Sequence, residues 1–191
     1  MDQQLIVLSL IAVAVLWIVG FAAWLALRAW RSRQLRGKFG PEYDYTLEQE
    51  GDWRTAEEML LEREKRVKQL EIRALAPDEW NRYQAEWTGI QADFVDRPVE
   101  AVEKADRLIV EVMVSRGFPV EDFEQRSADI SVFYPEFVSD YRRAHAFAER
   151  SRHEAVSTEE LRQAMVYYHN LFDQLLEQEA AKDKKLEVAI S

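Results

Sequence analysis

The sequence contains no cysteine, which excludes disulfides, thiolate zinc sites, iron–sulfur clusters and cysteine catalysis. Histidine occurs three times, at His145, His153 and His169. Those spacings contain no HExxH and none of the paired ExxH motifs of di-iron bundles, so no metal is expected. GxGxxG, P-loop and GxSxG strings are also missing, and no serine sits in a recognisable nucleophile context. No cofactor and no catalytic residue are therefore expected. Positive charge is in the minority: 25 Lys and Arg stand against 35 Asp and Glu, a net charge of −10. An acidic chain lacks the cations that set protein against phosphate, so nucleic acid is not an expected partner.

Charge is also unevenly spread. Residues 1–38 carry five basic residues and one acid, whereas the rest carry 20 basic and 34 acidic. Between Leu5 and Leu27 there are 23 residues without a charge, with Ser9 the single hydroxyl and Gly20 the single glycine. As a helix this run is roughly 34 Å long, enough for a hydrocarbon core of about 30 Å. Fourteen of its residues are Leu, Ile, Val or Phe, which favours insertion by about 4 to 8 kcal/mol. A cleaved signal peptide fits less well. It needs a basic start and a shorter apolar core, and the small residues Ala23 and Ala26 lie inside the run.

Arg28, Arg31, Arg33, Arg36 and Lys38 crowd the end of this run, which places that end in the cytoplasm and residues 1–4 outside. Trp24 and Trp30 suit the headgroup boundary on that side. The basic collar faces anionic lipid, while the acidic region beyond it is repelled from the same surface. Ala22, Ala26 and Ala29 form a small-residue stripe on which two such helices can pack closely. The expected organisation is a short extracytoplasmic N-terminus (1–4), a transmembrane helix (5–27), a basic juxtamembrane linker (28–46), an acidic helical domain (47–178) and a frayed tail (179–191).

The fold class expected for the domain is all-α, with about five or six helices. Pro77, Pro98, Pro119 and Pro135 each stand before a helical stretch, and the segments between hold almost no glycine; proline is tolerated in a first helical turn. A first helix spans roughly Leu47 to Arg73, with Ala56, Met59, Leu60, Val67 and Leu70 on one side and an i,i+4 pair at Glu64 and Lys68. A second, Asp78 to about Val95, places Trp80, Tyr83, Trp87, Ile90 and Phe94 on one stripe. A third runs from Val99 to Arg116, with Asp96 as N-cap and Gly117 as the stop. A weaker helix covers Val120 to Ile130, and another runs from Pro135 to about Arg150. Ser157-Thr158-Glu159-Glu160 is a capping box opening the last helix. No internal repeat is visible.

The polar residues Arg116, Asp129, Tyr141, Arg142 and His145 make one candidate cluster, with Asp93, Asp96 and Arg97 at the preceding corner. Charge-assisted bonding beside helix ends gives them two readings, a turn-locking network or a site for an anionic or peptide partner.

The strings FGPEYD, FVDRP with AVEKAD, RGFP, ADISV, YRRAH and STEELRQAM resemble a family of bacterial single-pass membrane proteins with an N-terminal anchor and no assigned activity. The similarity covers roughly residues 39–176. It implies a bacterial inner-membrane setting and supplies no catalytic residues. Family members more often carry a basic residue where this chain has Tyr45.

Two functions from different classes follow. The first is a non-enzymatic, membrane-tethered helical module at the cytoplasmic face that binds a protein partner or its own copies. The alternative is a small-molecule sensor or enzyme with an aromatic pocket behind Trp80, Trp87 and Phe94. An extracytoplasmic domain is a third arrangement, decided by topology alone.

Overall fold

The computed structural model describes the backbone of residues 2–190 and the side chains of residue 13 and residues 15–177. Eight helices and no strand occur among the described residues, as the all-α expectation requires: α1 (Asp2–Phe39), α2 (Pro41–Glu50), α3 (Trp53–Val67), α4 (Pro77–Asp93), α5 (Pro98–Arg116), α6 (Phe123–Phe133), α7 (Val138–Ser151) and α8 (Thr158–Ile190).

The segment expected to be a juxtamembrane linker is helical instead. α1 continues unbroken to Phe39, because nothing before Gly40 breaks it. At Gly40 the backbone turns to φ +49, and Pro41 occupies the first turn of α2, where its missing N–H costs nothing. Leu35 and Phe39, one turn apart on α1, are buried against Tyr43 of α2 and Leu60 of α3. This small core fixes the end of α1 to the domain.

The helix expected across 47–73 is two helices. Gly51 ends α2 in the left-handed conformation, φ +65, which only glycine adopts at little cost. Asp52 then caps α3, accepting a hydrogen bond from the Thr55 N–H at 3.1 Å. After a turn at residues 68–70, residues 71–76 run without helix or strand to the start of α4.

Start and stop signals further on are partly shifted. Arg97, not Asp96, is the N-cap of α5, because Pro98 takes the first turn. Gly117 stops α5 as expected, at φ +91, and the Phe118 N–H closes the turn on the Met113 carbonyl at 2.9 Å. α6 begins at Phe123, with Asp122 accepting from the Gln125 N–H at 2.7 Å. Pro135 lies in a turn over residues 135–137, and α7 starts after it. The capping box is formed: the Glu160 N–H donates to Ser157 Oγ at 3.2 Å and the Ser157 N–H to Glu160 Oε2 at 3.0 Å.

The main core lies between α4, α5, α7 and α8. α5 supplies its centre, with Val102, Ala105, Leu108, Ile109, Val112 and Met113 all buried. Trp87 of α4 stacks on Phe172 and His169 of α8, with centroids 4.8 and 5.2 Å apart. Tyr83 and Ile90 are buried with it, while Trp80 at the end of the same stripe is exposed. The centre of the aromatic stripe is therefore packed core.

No helix among the described residues is long and apolar enough to cross a membrane. Much of the expected span, residues 5–12 and Ala14, falls outside the described side chains. The remainder of that run leaves its apolar groups uncovered: Leu16, Trp17, Ile18 and Leu27 are each about two thirds to three quarters exposed.

Candidate functional site

The collar at the end of the apolar run divides in two. Arg31, Arg36 and Lys38 turn to carboxylates of α2 and α3: Arg31 Nε is 4.0 Å from Glu57, Arg36 Nη2 3.1 Å from Asp44, and Lys38 Nζ 2.9 Å from Glu64. Lys68 joins the last pair at 2.6 Å, the i,i+4 contact expected from sequence. Lys68 and then Lys38 hold the Glu64 carboxyl below its ordinary range, against burial. Arg28 and Arg33 have no carboxylate within ion-pair distance among the described residues. Arg28 instead lies over the indole of Trp53, its Cζ 3.6 Å from the centroid, with Trp24 at 5.7 Å. Three of the five collar cations are thus engaged with acids of the domain, and Arg28 and Arg33 are not.

Two buried carboxylates hold α1, α2 and α3 together. Glu57 receives the Ser32 hydroxyl of α1 and the Tyr43 hydroxyl of α2, the latter at 3.0 Å. Burial and Glu57 together push the Tyr43 phenol above its ordinary pKa, so it stays a donor. Glu42, in the FGPEYD string, is 1 % exposed. Both its oxygens are gripped by the Arg142 fork of α7 at 2.5 and 2.9 Å, and Arg63 of α3 adds a bond at 2.7 Å. A planar guanidinium matches a carboxylate in this two-bond fashion. The burial of Arg142 would lower its pKa, but Glu42 raises it above the ordinary value. The Tyr45 ring covers the same guanidinium at 4.1 Å, so this position works as an aromatic lid over a cation.

The five residues of the candidate polar cluster take separate partners. Asp129 of α6 is fully buried and accepts from Arg66 of α3 at 2.5 and 3.0 Å. Arg116 donates to the Tyr134 hydroxyl at 2.7 Å and to the Leu175 carbonyl at 2.8 Å, tying the end of α5 to α8. Arg142 belongs to Glu42. Tyr141 accepts from Arg126 Nε at 2.8 Å, and burial pushes its phenol well up. His145 Nδ1 is 3.2 Å from Asp106, which also accepts from Tyr168 at 2.9 Å. Burial would raise the Asp106 carboxyl, but His145 and Tyr168 together hold it below its usual range. Phe123 stacks on the imidazole at 3.7 Å. Only Tyr141 and His145 share surroundings, both touching Phe123. At the preceding corner, Lys104 and Arg97 neutralise Asp93.

Among the described residues no group of three or more His, Asp and Glu side chains is arranged to hold a metal ion. Glu42, Glu57, Arg63, Arg66, Asp106 and Arg126 are polar residues that sequence reasoning passed over. In a run of acids and bases such as EEMLLEREKRVK, nothing separates the inward-facing Glu57 from the solvated Glu58. Trp53 and Arg54 were missed for another reason, since their place beside Arg28 depends on the turn at Gly51.

The fold and its polar network define an all-α helical platform built on the end of one long N-terminal helix. The chain matches no family model, no curated protein and no solved structure.

Proposed function

We propose that this chain is a single-pass membrane protein whose helical domain serves as a non-enzymatic interaction or scaffold module at the cytoplasmic face of the bacterial inner membrane. The observation that carries this reading is the continuity of α1. It passes from a stretch of uncovered apolar side chains, Val13 to Trp30, into a segment whose Leu35 and Phe39 are locked in a core. Uncovered rings and aliphatic chains in that number need an apolar environment, and lipid supplies one for the run from Leu5 to Leu27. The arginine collar puts the domain on the cytoplasmic side. With helix instead of linker at residues 28–39, the domain is held at a fixed height and orientation above the bilayer, which suits a platform presented to a protein partner or to a second copy.

The sensor or enzyme alternative asks for space behind Trp80, Trp87 and Phe94. Stacking of Trp87 between His169 and Phe172 fills the middle of that stripe, which favours the interaction module.

Reporter fusions at both ends, combined with pull-down from crosslinked membranes, test the proposal. The expected result is a cytoplasmic signal from the C-terminal fusion and recovery of one specific protein or a self-oligomer. An extracytoplasmic C-terminus, or recovery of neither species, overturns it.

A further inference from the structure

On one face of α1, Trp17, Gly20, Phe21, Trp24, Arg28 and Arg31 follow at helical spacing, a stripe one side chain wide. Two clefts open along this face and share Trp24. The first, about 410 Å³, is lined by Leu16, Trp17, Gly20, Phe21 and Trp24. The second, about 470 Å³, lies between Trp24, Arg28 and Arg31 of α1 and Trp53, Arg54 and Glu57 of α3. The upper cleft is apolar and the lower one is cationic. Gly20 leaves the floor of the first open, and a Cβ there would meet nothing within 4 Å.

We infer that this double cleft is a binding site for one anionic phospholipid of the cytoplasmic leaflet, its acyl chain along Trp17, Gly20 and Phe21 and its phosphate against Arg28 and Arg54. The inference rests on the membrane reading above. Charge and shape decide the occupant. Arg28 and Arg54 have no carboxylate within ion-pair distance among the described residues, Asp52 acting on Arg54 only from farther off, in a molecule whose other cations are mostly paired with acids. Both guanidiniums lie against Trp53, at 3.6 and 5.2 Å from the ring. A guanidinium held over an indole by its π face still has N–H donors to offer, and a phosphate oxygen is the acceptor they suit. Glu57 also borders the cleft, but it is buried and already receives Ser32, Tyr43 and Arg31. Glu58 is exposed at the rim, where water screens it.

The distance along α1 suits a lipid. Gly20 and Arg28 are eight residues apart, about 12 Å of helix, so the apolar cleft lies at acyl-chain depth when the arginines are at the headgroups. Trp24 marks the junction, where an indole is apolar on its body and polar at its N–H. A soluble phosphate compound would use the lower cleft alone and leave the upper one empty.

The test is native mass spectrometry of the full chain in a non-ionic detergent, titrated with phosphatidylglycerol and separately with phosphatidylcholine of the same acyl chains. Retention of phosphatidylglycerol is expected to exceed that of phosphatidylcholine about tenfold. Arg28→Gln with Arg54→Gln should bring the two lipids to parity. Gly20→Trp should reduce retention of both, and Arg33→Gln, exposed outside the cleft, should change neither. Arg54→Gln alone, at an exposed position, keeps the test valid where the double variant fails to fold. Parity in the unaltered chain, or an equal loss with Arg33→Gln, overturns the inference. Displacement of the lipid by millimolar glycerol phosphate overturns the lipid assignment in favour of a soluble ligand. Alkaline carbonate extraction separates the two levels: a chain washed off membranes loses the membrane reading itself, whereas a carbonate-resistant chain with lipid parity loses this site only.

Discussion

Around α5 most inward positions are apolar, Val102, Leu108, Ile109, Val112 and Met113 packed on Trp87, Tyr168 and Phe172, with Asp106 and Arg116 as its buried charges; at the junction of α1, α2 and α3 Glu42 and Glu57 are buried beside a smaller apolar set centred on Leu35, Phe39, Tyr43 and Leu60. The first region is held by transfer of apolar surface from water, which is non-directional and tolerant of small shifts. The second is held by charge-assisted hydrogen bonds, which are directional and fail abruptly when one partner goes. Directional bonds set orientation better than they add stability. The region that joins the domain to α1 is richest in them, so the orientation of α1 relative to the domain is set there.

The largest effect is expected where a buried charge loses its fork. Arg142→Ala leaves Glu42 enclosed with Arg63 as its sole guanidinium, and breaking a buried pair this way costs about 3–5 kcal/mol. Hydrogen exchange on the detergent-solubilised chain should show lost protection across α2 and α3, with α5 and α8 unchanged. Equal loss in α5 and α8 would mean that the two regions open as one unit, and the contrast between them would fall. Glu42→Gln strands the cations instead, since Arg142 and Arg63 are both largely buried and have Glu42 as their carboxylate; a loss in the same place and of similar size is expected.

Leu108→Ala probes the other side. A buried leucine removed from a close-packed core costs its transfer energy and the cavity left behind, about 3 kcal/mol at such a site. Here the pattern of exchange should reverse, with α4, α5, α7 and α8 weakened together and the Glu42 fork intact. Chemical denaturation followed by Trp fluorescence gives the magnitude, and protection factors give the place.

This same contrast explains what could be read from sequence. Helical periodicity exposes an apolar stripe, so the second and third expected helices, the aromatic stripe at Tyr83, Trp87 and Ile90, the stop at Gly117 and the start at Ser157 were all legible. Buried charge has no such signature. Glu42 and Glu57 sit among acids and bases that are mostly solvated, and only the fold distinguishes them. The break at Gly51-Asp52 is a glycine stop followed by an aspartate cap, a signal outweighed by the helical character of its neighbours. The helix through residues 28–39 was not legible because a dense run of arginines stands out by its charge, although Leu35 and Phe39 one turn apart mark an inward face. The candidate cluster joined residues that are close in sequence terms but bonded across different helix pairs, since sequence shows which side chains carry charge and not which partner each one meets.

The smallest of the three effects is expected at the seam between the regions. The segment leaving α3 runs past the end of α5, where the Arg73 N–H donates to the Arg116 carbonyl at 2.9 Å. Gly117 sits against this segment. Its φ of +91 suits glycine, and a Cβ there would come within 2.7 Å of the Glu71 carbonyl oxygen, a backbone atom that cannot swing aside. Gly117→Ala therefore combines left-handed strain, about 1–2 kcal/mol, with a displacement of the connecting segment. Thermal melting should show a modest loss, and hydrogen exchange should place it at residues 71–73 and 116–118, with the Glu42 fork and the α5 core both keeping their protection. Confinement of the loss to the seam would establish that two separately stabilised regions meet there. Spread of the loss into α2 and α3 would instead make the seam part of the charge-held region, and the boundary between the two would move to the start of α4.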